Sequence, residues 1–220
     1  MRSRVWRRTP MTYENTLNTE DEALNFVNKY GCVTLFPIKG VAFPSLYRAA
    51  SGKNREEKFT RTWTWADRMA QKKKIHYGKL VKKQVTLISL EMFPHFYRQC
   101  RRTEFSGRPK KIIDFLKRHR ATSTTDLRKG LNLVGRENKN EFIKAMDLLQ
   151  LAFAIAIVDR EKSPKMTYTW DLLERWMPKD LLRKAEALNE EDAKEKISTK
   201  LLENKIIDKA EEAGKLFGWC

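Results

Sequence analysis

The sequence predicts an α+β fold, mostly helical, made of tandem winged helix-turn-helix domains. Residues 107–176 read as three short helices followed by a hairpin, and the first hundred residues repeat that helix-then-hairpin logic loosely. The 220 residues are 41% hydrophobic and 10% aromatic, enough for real cores and too apolar for a disordered chain. The expected organisation is a basic flexible arm at 1–17, a first winged-helix-like domain at 18–106, a second winged-helix domain at 107–177 and C-terminal helices at 178–220.

The arm carries Arg2, Arg4, Arg7 and Arg8 around Trp6. Thr19 and Glu22 have the spacing of a capping box, in which hydroxyl and carboxylate satisfy each other's backbone donors. A helix starting there gains an apolar side from Leu24, Phe26, Val27 and Tyr30, and Gly31 ends it. Residues 32–36 read as a buried strand closed by Pro37 and Gly40. Aromatics then crowd among cations: Phe43, Tyr47, Phe59, Trp63 and Trp65 lie among Arg48, Lys53, Arg55, Lys58 and Arg61. Such rings stack on bases or on one another, and the expectation for Trp63 and Trp65 is core or half-core. Residues 68–102 hold ten Lys or Arg and one acid, Glu91. Lys72, Lys73 and Lys74 close a helix, where cations suit the negative end of its dipole, and strands at 75–81 and 85–88 flank Lys82 and Lys83.

In the second domain, a basic helix at 109–120 leads to Ser123 or Thr124, either of which can cap a helix at 126–131. After a turn containing Gly135, a third helix at about 136–151 places Phe142, Ala145, Met146 and Leu149 on one face and leaves Arg136, Asn138, Lys139, Asn140 and Lys144 elsewhere. Strands at 153–159 and 166–170 bracket a charged loop at 160–165. Pro178 opens helices expected at 179–188, 190–202 and 208–217. Phe217 or Trp219 should dock on the second domain, because burying so large a side chain is worth on the order of 2 kcal/mol.

A net charge of +17 and a pI near 9.8 attract polyanions, nucleic acid first and an anionic membrane surface second. After Lys179 ten acids face eight bases, so the excess charge precedes the tail. Cys32, Cys100 and Cys220 lie far apart without Cys-x-x-Cys spacing, which points to neither a disulfide framework nor a zinc site and fits a reducing cytoplasm. No apolar run reaches membrane-spanning length and no secretory signal follows the arginines, so no membrane partner is expected. His76 and His119 lack metal-ligand spacing and no Gly-rich phosphate loop occurs, so neither metal nor cofactor is expected.

The expected partner is double-stranded DNA. Its expected contacts are Lys110, Lys111 and Arg118 on the basic helix, Arg136, Asn138, Lys139 and Lys144 on the third helix, Lys162 and Lys165 in its wing, and Lys82 and Lys83 at the earlier bend. A helix-turn-helix needs such cations on phosphates while its recognition helix enters the major groove. Glu91 and His95 stand four apart, a spacing that shares one helix face; Glu91 is the candidate catalytic carboxylate.

At Pro37-Ile38-Lys39-Gly40-Val41-Ala42-Phe43-Pro44-Ser45-Leu46, at Trp63-x-Trp65 with Asp67, and at Ile88-Ser89-Leu90-Glu91-Met92-Phe93-Pro94-His95-Phe96-Tyr97, the chain resembles proteins related to the AlkZ-type (YcaQ-like) winged-helix DNA glycosylases. The resemblance runs from about Thr19 to Trp219, where Leu216-Phe217-Gly218-Trp219 matches part of a further winged helix, here incomplete. It implies tandem winged helices, no metal, and a role in repairing alkylated or crosslinked DNA in the nucleoid. The family's active enzymes carry a Gln-x-Gln or Gln-x-Asp pair, and none of Gln71, Gln84, Gln99 and Gln150 has such a partner two residues on, so no catalytic residue is carried over. Three functions follow: a duplex-binding repair protein, an active glycosylase using a carboxylate such as Glu91, and a winged-helix transcription regulator. Base release from alkylated duplex would mark the enzyme; inverted-repeat DNA and a stable dimer would mark the regulator.

Overall fold

A computed structural model describes residues 13, 16–161 and 167–218. The protein is α+β and mostly helical, and it builds one α-β-α-α-β-β order twice. The first copy is α1 (Glu20–Tyr30), β1 (Cys32–Thr34), α2 (Leu46–Ala49), α3 (Arg55–Gln71), β2 (Ile75–Lys79) and β3 (Val85–Ser89). After α4 (Phe93–Cys100) the second copy follows: α5 (Gly107–His119), β4 (Thr122–Ser123), α6 (Thr124–Gly130), α7 (Lys139–Leu151), β5 (Ile155–Glu161) and β6 (Thr167–Leu172). Both sheets are antiparallel with the last strand in the middle, β1-β3-β2 and β4-β6-β5. Four helices follow: α8 (Leu173–Trp176), α9 (Lys179–Ala187), α10 (Glu190–Glu203) and α11 (Glu212–Phe217).

The local rules that shape the first copy are visible in its hydrogen bonds. Thr19 Oγ1 accepts from the Glu22 amide at 3.2 Å while the Glu22 carboxylate accepts from the Thr19 amide at 3.3 Å, the expected capping box. α1 buries Ala23, Phe26, Val27 and Tyr30, one face at helical spacing. Gly31 ends it at φ 76°, where a Cβ would also stand 2.8 Å from Met92 Cγ. β1 is shorter than the strand expected at 32–36: ladder pairing to β3 stops at Thr34, and Leu35 donates to the Val85 carbonyl and accepts from the Tyr47 amide before Pro37. Of the arm, Tyr13, Thr16 and Leu17 are described: Tyr13 packs edge-on to Phe26 at 5.1 Å, the Thr16 carbonyl accepts from the Asn18 side chain, and Leu17 bridges to Ala50. The remainder up to residue 15 lies outside the described residues.

In the second copy Ser123 is the cap, accepting from the Asp126 amide at 3.1 Å, so α6 begins at Thr124 rather than at 126. Arg128 holds the following turn by donating to the carbonyls of Leu133, Val134 and Gly135. α6 lies so close to α5 that a Cβ on Gly130 would stand 2.3 Å from the Phe115 ring. The helix expected from 136 divides into a 3-10 turn, Arg136–Asn138, and α7, whose buried side contains the four predicted residues and Gln150. Phe153 takes φ 51° and turns the chain, which delays β5 to Ile155, and a bulge between Ile157 and Asp159 lets the strand run on to Glu161.

One apolar core runs through both copies and the C-terminal helices. His76 of β2 stacks on Phe153 at 4.9 Å, the Tyr77 and Tyr168 hydroxyls bond at 3.2 Å, and Lys79 pairs with Asp147 of α7 at 2.6 Å. α9 and α10 pack on α4, and Asn204 reaches back to the Lys29 carbonyl at 3.4 Å. That path carries α11 to the first copy: Phe217 meets Phe96 at 5.1 Å and Phe43 at 6.5 Å. The expected docking of Phe217 on the second domain is therefore corrected, and Trp219 lies outside the described residues. Residues 208–211 form turns ahead of α11, with the Glu212 carboxylate accepting from the Asp208 amide at 3.0 Å. Among the described residues no helix is long and apolar enough to cross a membrane.

Candidate nucleic-acid interface

The sequence-predicted cations among the described residues lie on or next to elements that touch one another: α5 contacts α7, and α7 contacts β2. On α5, Lys110, Lys111 and Arg118 are exposed; Lys110 pairs with Asp114 at 2.6 Å and Arg118 donates to the Asp114 carbonyl. That Lys110 hydrogen bond holds the Asp114 carboxyl below the usual range, so α5 keeps one firmly ionised acid among its bases. Arg108 Nη2 donates to Asn138 Oδ1 at 3.2 Å and brings the start of α5 against the 3-10 turn that carries Arg136. Arg136, Lys139 and Lys144 are exposed, and Lys144 leans on Glu141 at 2.9 Å. Asn138 is half-buried and also donates to Glu137, so its amide is engaged within the protein.

The Lys79–Asp147 pair ties the β2–β3 bend to α7, and Lys79, Val85, Ile143 and Asp147 line one cleft of about 200 Å³. Lys82 and Lys83 stand exposed on this bend at φ 49° and 60°. α7 touches β2, and on its first half Lys139, Asn140, Glu141, Ile143 and Lys144 are exposed around the buried Phe142. Lys162 and Lys165 lie outside the described residues.

Glu91 and His95 do not share a helix face, which corrects that expectation. Pro94 lacks an N–H and suits the first turn of a helix, so α4 begins at Phe93 and leaves Glu91 exposed in the preceding turn. Burial, reinforced by the charge of Lys196, lowers the His95 pKa, and the charge of Glu91 opposes that shift.

α3 sets two of the aromatics that the sequence places among cations, Phe59 and Trp63, in one row. Phe59, Trp63, Asp67 and Gln71 recur every four residues, and Thr60, Thr64 and Arg68 form the adjoining row. The opposite face, Thr62, Trp65, Ala66, Met69 and Ala70, is buried; Trp65 is core and Trp63 half-core, as expected. Phe59 stays 46% exposed, stacks on Phe36 at 5.2 Å and meets Trp63 at 6.1 Å. Arg160 reaches over from β5, places its guanidinium 4.8 Å from the Trp63 ring centre and pairs with the Asp67 carboxylate. Gln71 donates to Asp159 beside it at 2.7 Å. The face borders a cavity of about 360 Å³. The four-residue rows were readable in the sequence; the arrival of Arg160, 93 positions from Asp67, was not.

No curated protein and no solved structure matches the chain. A family model does: the one described as AlkZ related covers residues 17–218, nearly everything from the end of the arm to α11. That span takes in both copies of the fold, the basic α5–α7 surface and the α3 face, and by it the chain belongs to the AlkZ-related family.

Proposed function

We propose that the protein binds double-stranded DNA through two winged-helix modules and serves repair of damaged or crosslinked DNA in the nucleoid. One observation carries this reading: the doubled α-β-α-α-β-β order, whose second copy presents Arg136, Lys139 and Lys144 at the open start of α7 beside the basic α5. In a winged helix the third helix approaches the major groove by its first turns while the other elements hold phosphates. Residues 107–151 hold eleven Lys or Arg against five Asp or Glu, so this surface attracts the backbone. Membership of the AlkZ-related family links the binding to repair and makes the protein glycosylase-like.

Sequence preference should be weak. Asn138, the residue of this set best suited to reading adenine, spends its amide on Arg108 and Glu137, and the remaining groups are cations suited to phosphate. With about five phosphates neutralised, log affinity for duplex should fall with log salt at a slope near −4 to −5. Fluorescence anisotropy across a salt series measures it, and a flat response would refute the reading.

A further inference from the structure

We propose that the outward face of α3 is a docking site for an unpaired nucleobase, which stacks on Phe59 and Trp63 while its flanking phosphate meets Arg68. The proposal rests on the reading of the protein as a DNA binder and adds the kind of DNA it prefers. Phe59 is one of few large hydrophobic side chains left exposed among the described residues, and it is not loose: Phe36 backs its ring at 5.2 Å with 19° between planes. An open, rigidly backed ring offers a π-face, which every base can use irrespective of sequence. A base inside a duplex has both faces covered by its neighbours, so only an unpaired or displaced one can take this place.

The surroundings favour a nucleotide over an apolar peptide. Residues 53–74 carry eight Lys or Arg and three Asp or Glu, and Arg68 is exposed on the cavity wall. Beside the rings, the Asp67–Arg160 pair and the Gln71–Asp159 bond form a polar wall, where an apolar peptide side chain would find no match. The cavity of about 360 Å³ lies within the ~300–1,000 Å³ range of small-molecule sites. Because Arg160 comes from β5 and Trp63 from α3, the site exists only while the two copies of the fold are packed together.

The test is an anisotropy titration of the full chain against a perfect duplex and the same duplex with one unpaired 2-aminopurine, which loses fluorescence when it stacks on a ring. Wild type should bind the unpaired-base DNA about tenfold tighter, as expected for one stacked base, and quench the probe. Phe59→Ala, at an exposed position, should abolish the preference and the quenching while keeping perfect-duplex affinity, and Phe59→Trp should retain both. Perfect duplex bound as tightly as the unpaired-base DNA, or a preference that survives Phe59→Ala, would overturn the docking site and leave duplex binding intact. Binding to neither DNA would overturn the docking site together with the reading on which it rests.

Discussion

His76 makes the stability of the fold depend on pH in a way that can be worked out beforehand. Its ring is 4% exposed, stacked on Phe153 at 4.9 Å and 5.5 Å from Phe93, and this burial pushes its pKa down to about 3. An unfolded chain takes up the proton near 6.5, whereas the folded chain takes it up only near 3. The unfolded state thus binds more protons throughout that window, and stability rises with pH across it: present in full above 6.5, it is lost as pH falls toward 3. At roughly 1.4 kcal/mol per unit, moving from pH 7 to pH 5 costs about 2 kcal/mol through this one side chain. Urea unfolding of wild type and His76→Gln at pH 5, 6, 7 and 8 isolates the effect, since carboxylates titrate alike in both. Wild type should lose about 2 kcal/mol more than the variant by pH 5, and parallel pH profiles would refute the reasoning.

Two further predictions concern packing. Gly130→Ala places a methyl 2.3 Å from the Phe115 ring, so overpacking between α5 and α6 should cost about 1–3 kcal/mol in denaturant unfolding; an unchanged midpoint would mean that the two helices can part freely. Phe217→Ala should cost about 3–5 kcal/mol, because the ring is 2% exposed between Phe43 and Phe96, while duplex affinity per folded molecule persists. Lost affinity at unchanged stability would instead put α11 in the DNA contact.

Where a rule acts within a few residues, the sequence was informative. The Thr19–Glu22 box, the Gly31 stop, the Ser123 cap and the buried row of α7 are all local chemistry, and they stand where their spacing put them. Element ends moved when longer contacts intervened: the Arg128 clamp on three carbonyls shapes the turn ahead of α7, and Phe153 at positive φ holds back β5. The cations of α5 and α7 were legible one by one, whereas their adjacency comes from contacts far apart in sequence, the packing of α5 on α7 and the Arg108–Asn138 bond across 30 positions. Phe217 was expected to be buried, but no local signal separates one apolar surface from another, and the path of α10 along α4 decided it. Arg160 sits in a charged stretch that reads as solvated loop, and only the packing of β5 against α3 turns it toward Trp63.

Duplex binding through the second copy of the fold is tested most directly by comparing two double neutralisations, Lys139→Gln with Lys144→Gln on α7 and Lys194→Gln with Lys196→Gln on α10. All four lysines are exposed, so neither pair should disturb folding, which makes affinity the quantity that separates them. The α7 pair should weaken duplex binding and flatten the salt slope by about 2, near one unit for each phosphate contact removed, while the α10 pair leaves affinity and slope almost unchanged. Equal losses from the two pairs would contradict the assignment of the α5–α7 surface to DNA.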